Sequence, residues 1–207
     1  MTTINSVTLE VEDVAAAQSF YDTAFGLGSE LTLRATDAPA SGFRAFTLSL
    51  VVSQPANVDA LIGSARDAGA SEIKPAKKGF WGYGGVLRAP DGAIWKIATS
   101  SKKDSGPASR KVDEFILLLG VADVRATKAF YAERGVSVAK SFGSKYVQFD
   151  TGPTVTLALY GRKALAKDAG VDETGSGSTR LVIGADTGAF TDPEGFLWET
   201  ATPAMVG

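Results

Sequence analysis

Val11-Glu-Asp-Val-Ala-Ala-Ala-Gln-Ser-Phe-Tyr21 returns, 110 residues further along, as Val121-Ala-Asp-Val-Arg-Ala-Thr-Lys-Ala-Phe-Tyr131. A second pair shares the same relation: Ala89-Pro-Asp-Gly-Ala-Ile-Trp-Lys96 recurs as Asp192-Pro-Glu-Gly-Phe-Leu-Trp-Glu199, 103 residues apart. Each half of the chain therefore opens and closes with the same two devices around unequal middles, the mark of a tandem duplication. The stretch Ser100 to Ser109 between them is polar, lacks periodicity and contains Gly106-Pro107, so it reads as a linker. We divide the chain into halves at 1–100 and 113–207, joined by a linker at 101–112.

Each half starts on a strand. Val7, Leu9 and Val11 alternate with polar residues, and Phe115 to Val121 is almost continuously apolar. A helix follows at once, capped by Asp13 or Asp123, whose carboxylates can accept the orphan N–H groups of the first turn, and stopped by Gly26 or Gly135. Another helix enters through Pro55, buries the stripe Val58, Leu61, Ile62 and Ala65, and closes at Gly69. Further strands are expected at 46–52, 146–149, 154–160, 180–183 and the two Trp-containing ends. Residues 27–42 leave room only for a stub, and Arg180–Asp186 runs into Thr191 without a helix between. The pattern is an α+β protein of four βαβββ modules, the outer two abbreviated.

The 21 Lys and Arg against 23 Asp and Glu give a formal charge of −2, and no basic stripe appears, which argues against a nucleic-acid partner. The Met-Thr-Thr start has no basic n-region, and the longest apolar run is far shorter than the ~18–20 residues of a membrane span, so a cytoplasmic protein is expected. Cys and His are both absent. Thiol nucleophiles, Ser-His-Asp triads, zinc centres of Cys and His, and the two-His-one-carboxylate iron site are thereby excluded, leaving only all-oxygen metal sites.

Val-x-Asp-Val followed by Phe-Tyr, Pro-Asp/Glu-Gly-x-x-Trp, and Phe80-Trp-Gly-Tyr-Gly-Gly85 between them resemble the vicinal oxygen chelate superfamily. That group includes glyoxalase I, extradiol dioxygenases and the fosfomycin- and bleomycin-resistance proteins. The resemblance implies tandem modules whose strands form curved, half-open mixed sheets, with a ligand and a divalent metal held on the concave side. It places one metal ligand seven residues before each capping Asp, at Ser6 and Ile116, another near Thr47, and a Glu four residues after the turn glycine, at Lys96 and Glu199. Of these five only Glu199 is a strong donor, whereas a divalent cation needs about four to six. No metal and no cofactor is expected.

Strand alternation turns Lys96 and Glu199 toward the concavity and Trp95 and Trp198 into the core. Lys96 and Glu199 would form a charged floor for a polar ligand; the bland alternative is that they are solvated strand ends or pair with each other. Phe80, Trp81 and Tyr83 among glycines suit a lip that stacks on a flat ligand, or equally a tight turn with packing aromatics. Tyr146 and Gln148, with Thr156, Ala158 and Tyr160, oppose an apolar set, and Gln148 and Tyr160 are the candidate hydrogen-bonding groups. No catalytic residue is assigned. These features favour a metal-free, bleomycin-resistance-like protein that binds a small organic molecule, as a monomer or a homodimer. The alternative is a lyase, isomerase or dioxygenase with a non-standard or substrate-assisted site, in which Glu199 would transfer a proton together with Lys96 or Tyr160.

Overall fold

The computed structural model describes residues 2–80 and 82–201. Four modules are present. The first contributes β1 (Ile4–Val11), α1 (Val14–Ala24) and β2 (Leu31–Ala35), followed by a short β3 (Ala40–Gly42). The second is complete: β4 (Phe46–Val51), α2 (Pro55–Asp67), β5 (Ser71–Gly79), β6 (Gly82–Arg88) and β7 (Ile94–Thr99). So is the third, with β8 (Glu114–Val121), α3 (Val124–Glu133), β9 (Ser137–Phe142), β10 (Tyr146–Asp150) and β11 (Thr156–Gly161). Then come α4 (Arg162–Ala169) and β12 (Gly175–Gly177), and the fourth module keeps only β13 (Leu181–Ala185), β14 (Phe190–Thr191) and β15 (Leu197–Thr200).

The modules pair inner with inner and outer with outer. β4 and β8 lie antiparallel at the middle of an eight-stranded inner sheet of order β5-β6-β7-β4-β8-β11-β10-β9. β1 and β13 play the same part in a five-stranded outer sheet, β14-β15-β13-β1-β2, while β3 and β12 form a separate two-stranded ribbon. Each sheet thus takes strands from both sides of the linker.

The expected caps are in place. Asp13 accepts from Ala16 N, Asp123 accepts from Arg125 N and Ala126 N, and Gly26 and Gly135 follow their helices at φ +61° and +83°. The second helix begins at Pro55, and the side chain of Gln54 at the preceding N-cap position does not cap it. Asp104 of the linker supplies the missing acceptor to Ala56 N, and buried Gln54 instead binds the linker backbone at Ser105, Gly106 and Pro107. The linker is therefore fixed to the start of α2 by hydrogen bonds.

A single hydrophobic cluster joins the helix-covered faces of both sheets, and the repeated sequence phrases sit within it. Trp95 and Trp198 are both fully buried, as alternation requires. Tyr21 of α1 donates to Asp91 at 2.6 Å while Trp95 Nε1 donates to Tyr21; in the other half Tyr131 of α3 makes a short bond to Asp192 and its ring packs edge-on to Trp198. The repeat consequently encodes two locks, one between the first and second modules and one between the third and fourth. Among the described residues no helix is long and apolar enough to cross a membrane.

Candidate ligand-binding face of the inner sheet

Along β4, Phe46, Leu48 and Leu50 enter the core and Thr47 and Ser49 face the other way. Register places Ser49 between Lys96 of β7 and Ile116 of β8, and places Thr47 beside Leu118, which in turn neighbours Ala158 of β11. Three of the five positions singled out in the sequence, Thr47, Lys96 and Ile116, thus meet at the centre of the inner sheet's open face. The remaining two meet in the outer sheet, where Ser6 pairs with Gly184 and Gly184 lies beside Glu199.

This separation corrects the expectation of a shared charged floor. Lys96 belongs to the second module and Glu199 to the fourth, so pairing inner with inner and outer with outer puts them in different sheets. Each has its own partner: Lys96 Nζ lies 2.7 Å from Asp168, and Arg34 grips Glu199 bidentately at 2.9 and 2.6 Å, with Glu10 at 3.8 Å from Arg34. A proton transfer shared by Glu199 and Lys96 is not assembled by this geometry.

Hydrogen bonding from Arg34 holds the Glu199 carboxyl below the usual carboxylate range. A depressed carboxyl pKa stabilises the fold above the unfolded value of about 4.3, and that contribution disappears as pH falls through the folded value. Both side chains are more than a third exposed, 44% and 38%, so solvent screening reduces the pair to about 0–1 kcal/mol. Arg34→Gln should be less stable than the parent by this small amount at pH 7, and urea midpoints of the two should converge below about pH 4. A constant difference from pH 7 to pH 3 would contradict the assignment.

The open face of the inner sheet is not bare. Leu165, Ala166 and Ala169 of α4 form a second cluster with Phe43, Val86 and Ile94, against which Leu118 and Tyr160 also pack. The helix lies across the middle strands β4, β8 and β11 and ends at Gly170, whose φ of +81° suits glycine. Sequence reading missed this helix. Its signal was an Ala- and Lys-rich run closed by a glycine, Arg162 to Gly170, with a short stripe at positions 165, 166 and 169.

On one side of α4 a cleft of about 380 Å³ opens over β5, β6 and β7, bordered by Phe80, Gly84, Val86, Lys96, Ala98 and Asp168. Phe80 and Lys96 are thus brought together as the lip and floor of one space. Tyr83 also borders this cleft, while its hydroxyl donates to Asp59 of α2 at 2.8 Å, and that bond pushes its pKa up to about 12. Residues 83, 85 and 87 share the side of β6 that meets α2, where a Cβ on Gly85 would lie 2.8 Å from Ile62. Trp81 lies outside the described residues.

On the other side of α4, Phe142, Tyr146 and Tyr160 stand opposite one another across β9, β10 and β11, with ring centroids 6.1 and 5.8 Å apart. Gln148 accepts from Tyr146 at 3.3 Å, and Thr156 donates to Glu114 at 2.7 Å. Gln148 and Tyr160 therefore share a face with Lys96, separated from it by α4.

The donor set does not fit a divalent cation. Among the described residues no three carboxylates gather where they could hold one, and Glu199 is already chelated by a guanidinium. At the inner centre stand a lysine, two hydroxyls and alkyl groups.

No family model and no curated protein matches the sequence. Among solved structures, glyoxalase I from Zea mays superposes with a TM-score of 0.63 at 15% identity, over 96% of this chain and 91% of that one. A putative dioxygenase from Bacillus subtilis subsp. subtilis str. 168 gives 0.53 at 12% identity, over 93% and 71%. The likeness spans nearly the whole chain and shows that it shares the fold of glyoxalase I.

Proposed function

We propose that this chain, built on the glyoxalase fold, binds a small organic molecule on the open face of its inner sheet and does so without a metal ion. The observation that supports this reading is the chemistry of the face: a largely apolar cleft in the ~300–1,000 Å³ range of ligand sites, ending at a lysine where the resemblance would put a metal-binding glutamate. The apolar body of a ligand would lie against Val86, Ala98 and the backbone of Gly84, with Phe80 at the rim and Lys96 reading its polar end. Sequestration of the bleomycin-resistance kind needs no more than this, since it asks for affinity and not for an acid and a base on opposite sides of a bond.

The purified protein should contain well under one equivalent of Zn, Fe, Mn or Ni by elemental analysis, unchanged by Glu199→Ala. One tightly held equivalent, lost in that variant, would overturn the metal-free part of the reading. A thermal-shift screen of aromatic antibiotics and small metabolites should find compounds that raise Tm, because a ligand at ~100 times its Kd adds about 2.7 kcal/mol to folding stability. A screen without any stabilising compound would overturn the binding part.

A further inference from the structure

We infer, resting on the reading that the cleft binds a small molecule, that its ligand is an amphipathic carboxylate whose acid group takes the place of Asp168 on Lys96. The cleft already contains one such complex. Asp168 extends from α4 and sets its Oδ2 2.7 Å from Lys96 Nζ at the edge of the cavity, so the lysine is presented to a carboxylate at hydrogen-bonding distance.

The placement of Asp168 is unusual for a purely structural acid. It stands in the last turn of an eight-residue helix, where the macrodipole disfavours negative charge. Lys74 offsets part of this by donating from Nζ to the carbonyls of Lys167 and Asp168, and Lys77 also lines the cleft. Among the described residues that line the cleft, Lys74, Lys77 and Lys96 stand against a single acid, Asp168. Once a ligand's carboxylate displaces Asp168, the cleft is a cationic groove with apolar walls, complementary to an organic anion and not to a neutral or cationic molecule.

Displacement is energetically modest. The Lys96 and Asp168 side chains are 39% and 48% exposed, so the internal pair is of the screened kind, and a carboxylate whose apolar body is buried against Val86 and Ala98 can outcompete it. Asp168 then acts as a stand-in that keeps Lys96 oriented and excludes small inorganic anions, which have no apolar body to add.

The test compares 1-naphthoate with its neutral isostere 1-naphthamide by isothermal titration, in the parent protein and in Asp168→Asn and Lys96→Gln. Both substitutions are at partly exposed side chains, and far-UV circular dichroism should be unchanged. The parent should prefer naphthoate. Asp168→Asn should tighten naphthoate by about 2–5-fold, the worth of an exposed ion pair that no longer competes. Lys96→Gln should weaken naphthoate by about tenfold, as loss of a charged hydrogen bond does, and leave naphthamide within about twofold. Equal binding of the two probes by the parent, or a naphthoate preference that survives Lys96→Gln, would overturn the inference while leaving the cleft a binding site. Failure of both probes to bind would also overturn it, and the thermal-shift screen then decides the underlying reading separately.

Discussion

Trp95→Ala is expected to lower folding stability by about 3–5 kcal/mol, the cost of emptying a fully buried aromatic site. The indole has no exposed surface and touches three modules at once. It stacks on Phe115 of the third at 5.9 Å and 13°, meets Phe25 of the first at 4.7 Å, and donates from Nε1 to Tyr21. Tyr21 in turn donates to Asp91 at 2.6 Å, and burial, followed by the Asp91 charge, pushes its phenol well above the usual range. A neutral phenol donating to a carboxylate is thus the form the core accepts. Tyr21→Phe should cost about 1–3 kcal/mol, because Asp91 Oδ2 would lose its donor and the indole N–H its acceptor, while Asp91 Oδ1 keeps Ala93 N. The double variant should cost less than the sum of the two, since both singles break one network. Urea denaturation of the four proteins measures this directly. A loss below about 1.5 kcal/mol for Trp95→Ala would show that the cavity collapses and that Trp95 is not the hub.

The same phrases that made the fold legible are therefore mostly core. Val-x-Asp-Val specifies a strand end and a helix cap, and the Tyr and Trp that follow form the locks. These are local or nearly local signals, which is why four modules with abbreviated outer members could be read from one chain. The match is not residue for residue, however. Aligning Pro90 with Pro193 makes Glu194 the counterpart of Asp91, yet the acceptor for Tyr131 is Asp192, two residues earlier. Asp192 also accepts from Glu194 N and Phe196 N, so the turn is organised around it, while Glu194 reaches Ala122 N and Arg162 instead.

Much of the site was harder to read because it depends on which modules meet. Nothing in the pattern of Lys96 or Glu199 reveals that one belongs to the inner sheet and the other to the outer. Only the pairing of β4 with β8 and β1 with β13 decides that. The partners were hidden for the same reason: Asp168 is 72 residues from Lys96 and Arg34 is 165 from Glu199. The bond from Tyr83 to Asp59 of α2, 24 residues earlier, was hidden in the same way.

Cutting the chain within 101–109 should leave neither half able to fold alone, although the repeat divides there. Residues 1–100 would retain β4 and β1 without the β8 and β13 that cover their edges, and residues 113–207 would expose the complementary edges. Unpaired central strands of this length present rows of backbone donors and acceptors that favour aggregation. Other contacts cross the cut as well. The stripe of α4 would lose Phe43, Val86 and Ile94, the N–H of Ile4 would lose the carbonyl of Thr151, and Gln54 and Asn57 would lose the linker backbone they bind. Each fragment alone should show no cooperative urea transition and should sediment as aggregate. Coexpressed, the two should recover a 1:1 complex with near-native circular dichroism, because the sheets need strands from both pieces but no covalent bond between them. Two fragments that each unfold sharply on their own would mean that the Tyr21–Trp95 and Tyr131–Trp198 locks stabilise the halves more than the shared sheets do.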